Sequence, residues 1–270
     1  MTTKFRLTAL ALIVAMFSVQ CTQEVDDTPT YPTSIESEFT PGLFSCDGID
    51  IKYQETTISP KTAAATTTSL VVVLHGQNSV GSDNKSQIRH DAMIRIWHNL
   101  SQGNNKTVIL APQCSSSRAW DEKVGDVKGT TMPQALKALI EDFLLNRPSI
   151  DRTKVYLLGY SDGAKPAGAG GVWRMLSDYP DSFAAGMAVA ADPDQTIVVA
   201  NVAKTPVLSV KGEFESHAVA MTLDSFGDQI RDAGGEIKEI VLSARSREDV
   251  CREAFSAENL EWIFQFKKSK

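Results

Sequence analysis

The sequence predicts an α/β fold, a mainly parallel sheet with helices on both faces. Short apolar runs of a strand's length alternate along the chain with segments whose apolar residues recur at helical spacing. The pentapeptide Gly159-Tyr160-Ser161-Asp162-Gly163 lies between one such run and a proline-marked helix start. Polar residues cluster just after the apolar runs, at the edge where parallel sheets bind ligands. The 270 residues, 42% hydrophobic and 22% charged, suffice for one large core. A net charge of −6 and the lack of any Lys/Arg cluster point away from nucleic acid as a partner.

The N-terminal stretch reads differently from the rest. Lys4 and Arg6 precede an apolar run from Leu7 to Phe17 that is too short to span a bilayer, and Ser18-Val19-Gln20-Cys21 follows. Residues 1–20 therefore read as an export signal. Their end resembles a bacterial lipoprotein signal, which implies lipidation of Cys21 and a membrane-anchored protein of the cell envelope. Gln20 stands where such signals carry a small residue, and a plain secretory signal that happens to contain a cysteine is the other reading. Residues 21–44 are polar, acidic and proline-containing, so they read as a tether ahead of a domain over 45–270. With Cys21 lipidated, Cys46, Cys114 and Cys251 remain. That odd number leaves a free thiol in an oxidising compartment, although a bond from Cys46 to Cys251 would tie the domain's start to its end.

Within the domain, residues 49–57 and a Thr/Ala-rich link precede the apolar strand 69–74, which runs into His75-Gly76-Gln77-Asn78. Ile88, Met93, Ile96, Trp97 and Leu100 suggest one helix over 88–100, with His90 and His98 on its surface. A buried strand at 108–112 leads to a loop containing Cys114. Thr131 is placed to cap a helix that has Pro133 in its first turn, and Leu136, Leu139, Ile140, Phe143 and Leu144 lie on one helical face. Val155 to Leu158 form the strand before the pentapeptide, and Pro166 fits the start of the helix after it. Strands follow at 184–191, ending in Asp192-Pro193-Asp194, and at 205–210, ending in Lys211-Gly212-Glu213-Phe214-Glu215-Ser216-His217. A helix over 223–233 stops at Gly234-Gly235, and a last strand (238–242) and a last helix (from 257) complete the chain.

The G-x-S-x-G pattern between strand and helix has a mechanical reading. Glycines flanking a sharp turn let the chain bend while the serine Oγ is held out beside the amides of the new helix. Together with VVVLHGQ at 71–77, VILAPQC at 108–114, DRTKVYLLGYSDG at 151–163, YPDSFAAGMAV at 179–189 and TPVLSVKG at 205–212, it resembles the α/β-hydrolase fold. The likeness is to bacterial esterases of the predicted-peptidase and polyhydroxybutyrate-depolymerase-like type, over roughly 45–265. It implies Ser161 as nucleophile and an oxyanion hole from the backbone amides of Gln77 and Asp162, with His75 shaping its turn. It implies carboxylic-ester substrates, small or glycan-linked, and neither a cofactor nor a metal.

The rest of the triad departs from the family pattern. The histidine expected after the last strand falls on Arg247, whose guanidinium stays protonated and cannot act as a base. His217 is the only histidine downstream of Ser161, at the strand edge, with Glu215 as its partner or Asp192 or Asp194 as alternative acids. Two functions follow. One is ester hydrolysis with His217 as a relocated base. The other is a pseudo-hydrolase whose cleft only binds. Trp97, Trp120 and Trp173 are read as core residues rather than cleft lining.

Overall fold

The computed structural model describes residues 30–61, 67–123, 129–160, 168–191, 193–213, 217–243 and 245–268. Among them lies an eight-stranded sheet in the order β1-β2-β4-β3-β5-β6-β7-β8. The strands are β1 (Thr40–Cys46), β2 (Ile49–Ile58), β3 (Thr68–Leu74), β4 (Lys106–Gln113), β5 (Ile150–Tyr160), β6 (Ala185–Val189), β7 (Val207–Gly212) and β8 (Ile237–Leu242). β1 and β2 form an antiparallel hairpin, β2 runs antiparallel to β4, and every later pairing is parallel. Asp47 and Gly48 close the hairpin with φ of 48° and 81°. These positive values give the twist that a two-residue hairpin turn needs.

The helices are α1 (Ser86–Arg89), α2 (Asp91–Gln102), α3 (Met132–Leu145), α4 (Gly168–Asp178), α5 (Val199–Val202), α6 (His217–Asp232), α7 (Arg247–Glu253) and α8 (Ala257–Phe264). Because successive strand residues point to opposite faces, β3 feeds two cores at once. Leu70, Val72 and Leu74 pack with α3, α4 and the Phe226 and Ile230 side chains of α6. Val71 and Val73 pack with α2, α7 and α8. Helices thus cover both faces, and the strands read as unbroken apolar runs for that reason.

Several boundaries differ from the sequence expectation, each for a local reason. The helix expected over 88–100 is two helices, since His90 has an extended ψ of 139° and caps α2 by accepting the Ala92 amide on Nδ1 at 3.2 Å. The compact unit begins at Tyr31, so the tether expected over 21–44 yields its second half to the domain. Ile35 and Phe39 are buried, Arg89 donates to both Glu36 carboxylate oxygens (2.7 and 3.2 Å), and Arg95 lies 4.1 Å over the Tyr31 ring. Helix α3 starts as expected. Thr131 Oγ1 accepts the Gln134 amide, Gln134 Oε1 accepts the Thr131 amide, and Pro133 costs nothing in the first turn. Cys46, Cys114 and Cys251 form no disulfide with one another, so the Cys46–Cys251 bond is absent. Cys46 sits on the edge strand β1, whereas Cys251 is buried on α7 against the opposite half of the sheet.

Candidate active site

The site is built where the parallel strands β3 to β7 end. β5 lies between β3 and β6, with Val155, Tyr156, Leu157 and Leu158 shut off from solvent, and it ends at Tyr160. α4 resumes the chain at Gly168. Ser161 and Asp162 fall between these two elements and lie outside the described residues, as does Cys21. Gly171, which ends the glycine-rich run after the pentapeptide, has a packing reason to be glycine. A Cβ on Gly171 would stand 2.5 Å from Trp120 Cβ and 2.9 Å from Leu74 Cδ1, so α4 reaches the end of β3 only because that position has no side chain.

At the exit of β3, His75 is buried and acts as a brace. Its Nε2 accepts the Cys114 amide at 2.9 Å, which ties the exit of β3 to that of β4, and its Nδ1 lies 2.7 Å from the Gly76 carbonyl. Those two partners select the tautomer protonated on Nδ1, because Nε2 must present a lone pair. The indole of Trp120 donates to the His75 carbonyl at 3.0 Å and packs edge-on against its ring. Gln77 follows at the head of a 3₁₀ turn (Gln77–Ser79), whose internal bonds are donated by Ser79 and Val80. Gln113 fastens the next loop: Oε1 accepts the Asn84 amide at 2.7 Å, and Nε2 donates to Ser79 O and Asp83 Oδ1. Burial opposes ionisation of Asp83, but bonds from Ser86, Gln113 and the Lys85 amide prevail and hold its carboxyl well below the usual carboxylate range.

The exit of β6 is braced in the same way by Trp173, which donates to the Ala191 carbonyl at 3.1 Å. Ala190, just before it, has φ of 56°, a left-handed value that costs a non-glycine residue about 1–2 kcal/mol. Asp192 lies outside the described residues. Asp194 is engaged by the Thr196 amide at 2.6 Å and the Thr196 hydroxyl at 2.5 Å, by Arg174 Nη2 at 3.2 Å, and by Lys123 Nζ at 3.9 Å. Burial pushes its pKa up, yet these bonds and the two cations outweigh it, and the net direction is down. Arg174 is 4% exposed and also reaches Asp178 at 3.4 Å.

At the exit of β7, Lys211 is 6% exposed and Glu213 is exposed. Glu215 lies outside the described residues, and His217 is described only as the first residue of α6. Arg247 opens α7 behind its cap Ser246. Sequence reasoning missed two residues here. Lys211 was visible as a charge ending an apolar strand. The His90 ring, expected on a helix surface, is half-buried and lies 4.8 Å from the ring of Tyr160, the residue before Ser161. Its Nδ1 is committed to capping, so the neutral ring carries its proton on Nε2 and is a donor there. His98 lies against Tyr31, away from the strand exits, and burial and Lys61 lower its pKa. Trp120 and Trp173 are core residues, as expected, and Trp97 packs against the α2–α7–α8 core. Among the described residues no three His, Cys, Asp or Glu side chains are grouped to hold a metal ion.

No family model and no curated protein matches the chain. Solved structures do. A thermostable esterase superimposes with a TM-score of 0.71 at 21% identity, covering 86% of this chain and 64% of its own. The chain has the α/β-hydrolase fold. A dienelactone hydrolase from Anabaena variabilis (TM-score 0.55, 15% identity) is covered over 99% of its length and 84% of this chain. Est1E from Butyrivibrio proteoclasticus (0.54, 14%) is covered over 98% of its length and 83% of this chain. The chain thus spans just under two thirds of the esterase and nearly all of the other two. At these identities the likeness speaks for the fold.

Proposed function

We propose that the protein is an exported serine hydrolase that cleaves carboxylic esters through Ser161. One observation carries the reading: β5 ends at Tyr160 and α4 begins at Gly168, so the G-x-S-x-G pentapeptide spans a strand-to-helix junction at the middle of the sheet. In this reading Ser161 Oγ attacks the ester carbonyl while His217 takes its proton. The amides of Gln77 and Asp162 donate to the developing oxyanion, where one donor is worth about 10²–10³ in rate. His217 returns the proton to the leaving alcohol, and water then releases the acid by the same steps. Glu215 orients the imidazole. Asp192 is an alternative, and Asp194 is the weaker one because its oxygens already serve Thr196, Arg174 and Lys123. Lipid attachment at Cys21 would hold the enzyme at the cell envelope, where small and glycan-linked esters are within reach. Incorporation of labelled fatty acid, lost in Cys21→Ser, is the expected result.

Arg247 favours a second reading, a pseudo-hydrolase that binds without turnover, since it opens α7 where the family keeps its base. Hydrolysis of p-nitrophenyl acetate and butyrate separates the two. The first reading expects Ser161→Ala and His217→Ala each to cost on the order of 10⁶ in kcat. A wild-type protein that neither turns over these esters nor labels with a fluorophosphonate would overturn it in favour of the second.

A further inference from the structure

A cleft of about 390 Å³ opens beside the exit of β6, between the loop leaving that strand, the start of α5 and the middle of α6. Its size lies at the lower end of ligand-binding clefts, roughly 300–1,000 Å³, and leaves room for a ring-sized group. Phe226 and Ile197, both buried, supply apolar lining, and Asp194, Gln195, Ser225 and Gln229 supply polar groups around it. This mixture is selective. A plain acyl chain laid there would bury two amides, a hydroxyl and a carboxylate against hydrocarbon, each at a desolvation cost with no bond in return. An anion would face the Asp194 carboxylate, and among the described residues that line the cleft none is cationic. A cation gains little, because Arg174 and Lys123 already balance Asp194. What fits is a neutral molecule with C–H surface for Phe226 and Ile197 and several hydroxyls for the Gln195 and Gln229 amides and the Ser225 hydroxyl.

We infer that this cleft binds a neutral, polyhydroxylated ring, the chemistry of a sugar unit. Gln195 and Gln229 each donate to and accept from its hydroxyls, the Ser225 hydroxyl is a third partner, and the ring's C–H surface packs on Phe226 and Ile197. The strand exit that carries the cleft belongs to the same edge as the end of β5, so the sugar becomes the alcohol portion of the ester. This last step rests on the hydrolase reading above, whereas the binding itself does not.

Saturation-transfer NMR with methyl β-glucopyranoside and methyl β-xylopyranoside tests the binding on the intact protein, beside Gln195→Trp, which fills the cleft, and Gln229→Leu, which removes one donor and acceptor. The expected result is transfer to ring protons of at least one glycoside, weakened about 5-fold or more in Gln229→Leu, the worth of one neutral hydrogen bond, and abolished in Gln195→Trp. Far-UV circular dichroism identifies the variants that fold, and Gln229 is exposed on α6, so its replacement leaves the core intact. Absence of transfer to either glycoside in the wild type, or wild-type binding by a folded variant, overturns the inference. Fluorophosphonate labelling run in parallel keeps the two claims apart: sugar binding without label on Ser161 removes the hydrolase reading and leaves the cleft, and label without sugar binding does the reverse.

Discussion

Replacing Gly171 by alanine adds one methyl group at a crowded contact of α4. The new Cβ would stand 2.5 Å from Trp120 Cβ and 2.9 Å from Leu74 Cδ1, whereas ordinary contacts begin near 3.4 Å. Leu74 can rotate its terminal methyl, but Trp120 meets the helix with its own Cβ and is wholly buried, so the backbones themselves must part by most of an ångström. Overpacking of this kind costs about 1–3 kcal/mol. A shift of Trp120 also stretches its 3.0 Å bond to the His75 carbonyl, worth roughly 1 kcal/mol. Against this, alanine gains about 1 kcal/mol over glycine in a helix. The net loss is about 1–3 kcal/mol, or roughly 2–12 °C in Tm for a domain of this size. Differential scanning calorimetry measures it, with Gly103→Ala as control, since the nearest atom to a Cβ there is 3.4 Å away. A Gly171→Ala protein that melts at or above the wild type refutes the account of why position 171 is glycine.

Two further outcomes follow from the polar groups around the strand exits. Arg174→Met strands Asp178 and Asp194 without their buried cation, and urea unfolding should register a loss of about 3–5 kcal/mol. Asp83 is held below its ordinary pKa in the folded state, so its contribution to stability is fully present above the unfolded value near ~3.9 and is lost as the pH falls toward the folded one. Asp83→Asn is therefore expected to flatten the acid limb of the stability curve below about pH 4, and an unchanged limb counts against the hydrogen bonds assigned to that carboxylate.

What could be read from the sequence was whatever is decided locally. Thr131, Pro133 and Gln134 sit within one turn of each other, so the start of α3 was legible residue by residue. The buried strands were legible too, because covering a sheet on both faces leaves runs such as Val71–Leu74 with no polar residue. The break at His90 was hinted at by the five-residue step from Ile88 to Met93, which fits no single helical face. The Asp47-Gly48 pair carries a hairpin signal that the sequence reading passed over. Averaged composition hid the docking of Tyr31, Ile35 and Phe39 inside an otherwise polar stretch. The bonds of the site were not legible at all. Cys114 answers His75, and Asp194 answers Arg174, only once the sheet has brought separate exits together.

Each of the two layers of side chains flanking the sheet contains one sulfhydryl. Cys114 belongs to the α3–α4–α6 layer and Cys251 to the α2–α7–α8 layer, and neither exposes any surface. Burial also raises the Cys114 pKa, which leaves little of the reactive thiolate. A thiol reagent can therefore reach each only when its own layer comes away from the strands. Equal modification rates at the two sites would mean that the molecule opens as one cooperative body, while a faster Cys251 would mean that α7 and α8 peel off first. The chain thus carries two internal clocks, one on either side of the sheet, that time how its halves let go.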